Sequence, residues 1–234
     1  MITTNIISIP CFNLDQIAQS GQCFRMLPME KGGYSVISCG RYLEIQEIAG
    51  SDSPSIAFTC PEEDLDFWFH YFDFHTDYQA ILNAVRPEDA YLAAAGKAGN
   101  GIRILRQDLW EMIVTFLISQ QNNISRIRGC IERLCARYGE KRISGNGVEY
   151  YGFPGPEILA EATEQELREL GLGYRARYIA ETARTIVQGE ISLEKIYRMR
   201  YYNRAKNELM KLCGVGEKVA ECICLFALHH MDAF

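Results

Sequence analysis

The chain predicts an α+β protein, with a small antiparallel β-rich unit followed by a helical array. Three observations predict it. The first stretch of about 60 residues alternates short β-branched and aromatic runs with turn residues. From about Glu62 the apolar period becomes helical. Near the C-terminus a Gly-Val-Gly turn separates two helical patterns. The expected division is 1–85 for the β-rich part and 86–234 for the helical part.

The expected strands are "GQCFRML", "YSVIS", "RYLEIQE" and "SIAFTC", separated by "PMEKGG", Cys39–Gly40 and "AGSDSP". The two-residue Cys39–Gly40 break predicts a tight hairpin. "EEDLDFWFHYF" opens with acids, which suit a helix N-terminus. "LWEMIVTFLIS" is apolar almost all round, as expected of a central buried helix, and runs into the polar cluster "QQNNISR". Ile124, Ile127, Ile131, Leu134 and Tyr138 then recur at helical spacing, between Asn123 as N-cap and Gly139 as stop. Thr163 and Glu166 have the spacing of a capping box. "YRARYIAETARTIVQG" is an amphipathic helix closed by Gly189, and "YYNRAKNELMKL" leads into the Gly-Val-Gly turn.

Of the 234 residues 48 % are apolar, enough for a sizeable core. No apolar run is long enough to span a membrane. The N-terminus lacks the basic and apolar regions of a signal peptide, so a cytoplasmic, nucleoid-associated or otherwise intracellular location is expected. The nine cysteines form no paired framework and read as reduced thiols, and neither they nor the four histidines are spaced for a metal. No cofactor is expected. Net charge is −6, but unevenly placed. Residues 1–100 carry five Lys/Arg against 13 Asp/Glu, and residues 101–234 carry 19 against 17. Arg126, Arg128, Arg133, Arg137, Lys141 and Arg142 fall within 17 residues. Such a cluster reads as a solvated helix surface or as a locally positive face for nucleic acid.

"LCGVG" between two helices is a helix–hairpin–helix signature. Gly214, Val215 and Gly216 form a turn whose small residues admit close approach, and the following helix offers free N–H groups and a positive dipole end to a DNA phosphate. Lys218 then reads in two ways. It is a further phosphate contact, or it is a nucleophile whose amine attacks a sugar carbon and forms a Schiff base. The second reading needs a depressed pKa, and the apolar "VAECICLFAL" that follows predicts burial.

The chain resembles the 8-oxoguanine DNA glycosylase/AP lyases of the helix–hairpin–helix glycosylase superfamily. The resemblance lies in "SGQCFRM" (20–26), "YFDFHTDY" (71–78), "IRILRQDLWE" (102–111), "NNISRIRGCIERLC" (122–135), "YYGFP" (150–154), "LGLGYRARYI" (170–179) and "GVGEKVAECICLFAL" (214–228), in the family's order. It implies a TBP-like sheet before a helical glycosylase domain, and a monomer that acts on 8-oxoguanine in double-stranded DNA by base flipping, excision and β-elimination. It implies Lys218 as the nucleophile.

By the same resemblance, the Gly21 carbonyl accepts the N7–H of the flipped lesion, Cys222 packs on that base, Tyr174 wedges into the vacated stack, and Arg126 and Arg175 bond the orphaned cytosine. From the residues alone these are a turn glycine, a core cysteine and surface or phosphate-binding arginines. Two positions depart from the pattern. Gln121 stands where better-known members have Asn, which alters how the opposite base is read. Cys213 stands where a proline is usual. The resemblance also implies a catalytic aspartate and a final helix beyond Phe234; Asp232 does not take that role, and the 234 residues are expected to be catalytically impaired. Two other readings compete with it: a non-catalytic hairpin module that only holds phosphate, and a glycosylase for other, alkylated bases, which generally lacks the lysine.

Overall fold

The computed structural model describes residues 1–48 and 55–233, and the expected "AGSDSP" turn lies outside them. The described residues divide into two compact units. The first comprises Met1–Ile37, Arg41–Leu105 and Ser144–Val148, and the second Ser38–Gly40, Arg106–Ile143 and Glu149–Phe234. The expected division at 85/86 lies inside the first unit.

In the first unit β1 (Ile2–Ser8) and α1 (Leu14–Gln19) precede β2 (Met26–Pro28), β3 (Tyr34–Ser38), β4 (Arg41–Ile48) and β5 (Ser55–Pro61). The strands form an antiparallel sheet in the order β1-β5-β4-β3-β2. Cys39 and Gly40 both have positive φ, so the predicted two-residue turn links β3 to β4. β5 alternates strictly, sending Ile56, Phe58 and Cys60 into the core. Helices α2 (Leu65–Tyr71), α3 (Tyr78–Asn83) and α4 (Ala90–Ala98) follow. Trp68 and Tyr71 of α2, with Phe72, pack with Phe12, Ile17 and Phe58. Arg103, 2 % exposed, ties the unit together. Its guanidinium donates to the carbonyls of Asp73 (2.8 Å), Cys11 (3.0 Å) and Pro10 (3.0 Å) and lies over the Tyr78 ring.

One expectation needs correction here, and one strand was not expected. The strand expected over "GQCFRML" is confined to its end, because Gly21 has φ +80° and the buried Gln22 side chain bonds Arg103 O and Leu105 N instead of a strand partner. β1 has no counterpart in the sequence reading. It is a half-exposed strand at the sheet margin, and its partner is fixed by register, Ile2 opposite Pro61 through Ser8 opposite Ser55.

The second unit centres on α5 (Leu109–Ser119), buried from Leu109 through Ile118. α6 (Ile124–Tyr138) is capped by Asn123, whose Oδ1 accepts from Arg126 N at 2.9 Å. Its inner face is Ile127, Cys130, Ile131, Leu134 and Cys135, while Ile124, expected in the stripe, is 46 % exposed in the first turn. A short hairpin, β6 (Lys141–Ile143) and β7 (Glu149–Tyr151), leads to α7 (Pro156–Glu161) and α8 (Glu164–Leu167). The Thr163–Glu166 capping box is present. A π-helical turn, Arg168–Leu172, enters α9 (Arg175–Val187), followed by α10 (Leu193–Tyr197), α11 (Tyr202–Leu209) and α12 (Glu217–Phe226).

Candidate functional site

α11 buries Ala205 and Leu209, and the turn after it buries Leu212 and Val215. The chain must therefore reverse between two buried anchors. It does so at Gly214, with φ +79°, and a Cβ there would overlap the Tyr178 ring of α9. Two side chains hold the turn from outside: Thr182 Oγ1 donates to Cys213 O at 3.2 Å, and Gln120 Nε2 donates to Gly214 O at 3.1 Å. Gly216 differs from Gly214. Its φ is −88°, and a Cβ would meet nothing within 4 Å. Among the described residues no side chain caps α12, so its first N–H groups are left free at the positive end of the helix.

Lys218 lies in the first turn of α12 and is exposed. The predicted burial is not observed, and helix phase explains why. The apolar run after Lys218 sends Ala220, Ile223 and Cys224 inward, and Lys218 is off that face. Cys222, one turn on, is half-buried, and burial raises its thiol pKa against the opposing charge of Lys218. Cys213 donates to Glu181 Oε2 at 2.7 Å, and burial with that carboxylate pushes its thiol up to about 11. Both thiols are neutral at ordinary pH.

The C-terminus of α5 forms the second part of the site. Gln120 ends the helix and Gln121 takes φ +46°, a left-handed conformation uncommon for a residue with a side chain. Arg175 holds it there. Only 5 % exposed, its guanidinium donates from Nε to Gln120 O at 2.9 Å and from Nη2 to Gln121 O at 3.1 Å, with Nη1 to Leu172 O at 3.4 Å. It also lies 4.6 Å from the Tyr174 ring centroid. Arg175 is thus engaged by backbone carbonyls and is not a free fork turned to a base. Tyr174, by contrast, is 42 % exposed, standing on the turn that follows the positive-φ Gly171 and Gly173. Arg126 is exposed in the first turn of α6 and has no ion-pair partner among the described residues.

Gln120 is what joins these pieces: its side chain holds the hairpin at Gly214 while its carbonyl is held by Arg175. Through it the structure links the hairpin before Lys218 to Gln121, Tyr174 and Arg175. Sequence reasoning missed Gln120, since nothing in "QQNN" separates it from its neighbour. Gly21 belongs to the first unit. It has φ +80°, no atom lies within 4 Å of a Cβ built on it, and its carbonyl accepts no hydrogen bond from the described residues. Among the described residues no group of His, Cys, Asp or Glu is arranged to hold a metal ion, and no helix is long and apolar enough to cross a membrane.

Residues 6–113 match the 8-oxoguanine DNA glycosylase N-terminal domain, and residues 114–225 match the HhH-GPD superfamily of base excision DNA repair proteins. The chain is 42 % identical over 147 residues to the N-glycosylase/DNA lyase of Saccharomyces cerevisiae, covering 58 % of this chain and 39 % of that one. It spans about two fifths of that curated relative's length. The apo-form crystal structure of the Clostridium acetobutylicum 8-oxoguanine glycosylase/lyase superposes with a TM-score of 0.91 at 36 % identity, covering 100 % of this chain and 82 % of that one. The same clostridial protein in complex with double-stranded DNA containing cytosine opposite 8-oxoG also matches, with a TM-score of 0.91, 35 % identity, and coverage of 100 % and 81 %.

Proposed function

The chain belongs to the 8-oxoguanine DNA glycosylase family of HhH-GPD base excision DNA repair proteins, and from that premise we propose that it flips 8-oxoguanine out of duplex DNA, excises it and cleaves the strand as a lyase. The observation that carries the proposal is the linkage through Gln120, which ties an uncapped helix–hairpin–helix to an exposed tyrosine and to a backbone turn held by a buried arginine.

The hairpin grips backbone. Free N–H groups at Gly216 and the first turn of α12 receive a phosphate without reading sequence. Flipping costs a few kcal/mol of unstacking, and Tyr174 offsets part of it by entering the gap. Gln121 and Arg126 contact the base left behind. Arg175 serves first by holding the 120–121 turn; bonding the orphaned cytosine directly requires it to exchange those carbonyls for the base. The Gly21 carbonyl discriminates the lesion. The N7–H of 8-oxoguanine donates to it, whereas guanine would set a lone pair against it. Cys222, as a neutral thiol, packs on the flipped base.

The Lys218 amine then attacks C1′. The N–C1′ bond forms, the glycosidic bond breaks, and the base leaves with its electron pair and a proton. Ring opening gives the imine, and loss of a C2′ proton expels the 3′ phosphate. Lys218 is exposed in the free chain, so its desolvation comes from the bound duplex.

Matched duplexes carrying 8-oxoguanine or guanine opposite cytosine, followed for released base and strand scission, test the proposal. Release and scission are expected from the lesion duplex alone, at the reduced rate expected of the 234 residues. Equal, salt-sensitive retention of both duplexes with no base released would establish instead a hairpin that only holds phosphate.

A further inference from the structure

Lys218 is flanked on its own helix by Glu217 and Glu221. Glu221, three residues on, shares its helix face, whereas Glu217, as the adjacent residue, does not. A carboxylate at that spacing is an ordinary partner for lysine and holds the amine charged. Here it is taken. Lys206 of α11 donates from Nζ to Glu221 Oε1 at 2.7 Å and to Glu217 Oε1 at 2.7 Å. The Tyr202 hydroxyl adds a bond to Glu221 Oε1 at 3.4 Å, and the Lys206 ammonium lies 5.6 Å from the Tyr202 ring centroid. The Lys206 side chain is 14 % exposed, so its aliphatic stem is packed and its reach is fixed. Lys218 is left without an ion-pair partner among the described residues.

We propose that Lys206 is a positioning residue for the Schiff-base step: by capturing Glu221 it keeps the Lys218 amine unpaired, so that it gives up its proton once the duplex desolvates it. The inference rests on Lys218 being the nucleophile. The bonds to Lys206 lower the Glu221 pKa and those to the two glutamates raise the Lys206 pKa, so Lys206 and Glu221 stay ionised around neutral pH. The other groups around Lys218 do not replace this control. On α12, Cys222 is a neutral thiol and burial pushes Cys224 up to about 12. On α11, Arg204 lies over Tyr201, and Glu208 is paired with Lys211. On α5 the titratable residue is Glu111, at the other end of the pair: the last residue of α12, Phe226, meets Gln107, whereas Gln120 meets Gly214 before Lys218. The same capture screens two carboxylates beside a turn meant for phosphate.

Lysine ε-carbon NMR titration of the full chain, with Lys218 assigned through Lys218→Arg, tests this directly. Lys206→Met is expected to raise the Lys218 midpoint by about 0.3 pH unit. Lys206→Arg, which keeps the pairing, is expected to leave it in place. Glu221→Gln should lower the midpoint more in the Lys206→Met background than in the wild type. If Lys206→Met melts early, Lys206→Gln replaces it. An unchanged midpoint in a folded Lys206 variant, or an equal effect of Glu221→Gln in both backgrounds, overturns the inference. The titration needs no DNA. Failure of base release by the wild-type chain would remove the proposed function and leave the titration result standing.

Discussion

The turn at Gln120–Gln121 and the turn at Leu212–Lys218 are joined by the Gln120–Gly214 bond and are built in opposite ways. The first is closed. Its left-handed Gln121 and the carbonyls before it are held by a buried guanidinium, and nearly every donor of that group is used. The second is held from behind, at Cys213 and Gly214, and left open in front, where among the described residues α12 has no side-chain cap and Lys218 has no ion-pair partner. A folded chain satisfies its buried polar groups internally and leaves its exposed ones to water. One turn does so with a buried arginine, whereas its neighbour leaves a helix end and a cation to solvent, and that open side is the one we propose for the duplex.

Breaking the closed turn should have the largest effect. Arg175→Met leaves three carbonyls without their donor and is expected to cost about 3 kcal/mol in urea unfolding. Arg175→Lys, which keeps charge and loses the planar fork, should recover less than half of that. An unchanged denaturation midpoint in Arg175→Met would mean that the guanidinium is not what holds Gln121.

The two hairpin glycines sharpen the contrast. Gly214→Ala meets both a positive φ and the Tyr178 ring, and should cost about 2 kcal/mol. Gly216→Ala meets neither and should leave stability within about 0.5 kcal/mol, while weakening duplex binding measured by fluorescence anisotropy. Equal melting losses in the two variants would erase the distinction between a glycine required by the fold and one required by the ligand.

The smallest expected effect lies at the far end of α5. There Asp108 Oδ1 accepts from Glu111 N at 2.8 Å. Burial raises its pKa against the lowering by the N–H groups of Glu111 and Trp110. The folded state therefore keeps this proton to higher pH than the unfolded chain does, and stability falls as pH rises from about 4 through the folded pKa. Asp108→Asn keeps an acceptor and removes the charge. Thermal melts should show a small gain over wild type near neutral pH that disappears in acid.

Much of the helical unit was legible because its signals are local. The all-round apolar run of α5, the Asn123 cap and the Thr163–Glu166 box each need only a few adjacent residues to be recognised. What was not legible depends on distant partners. β1 is a strand because β5 offers it a register. Arg175 is buried because three carbonyls converge on it, whereas an arginine in sequence defaults to the surface. The exposure of Lys218 was misread because the apolar run after it was weighed without its helical phase. Lys206 gave no signal, since its partners lie 11 and 15 residues away on another helix.

The central claim is that the Lys218 amine forms a covalent imine with deoxyribose C1′. Borohydride reduction of the chain with a duplex carrying a preformed abasic site, followed by peptide mapping of the crosslink, tests it most directly, because an aldehydic C1′ requires no prior base departure. The account predicts one crosslinked peptide containing Lys218 and no crosslink with Lys218→Gln. A crosslink that persists in that variant, or that maps to another lysine, would contradict it.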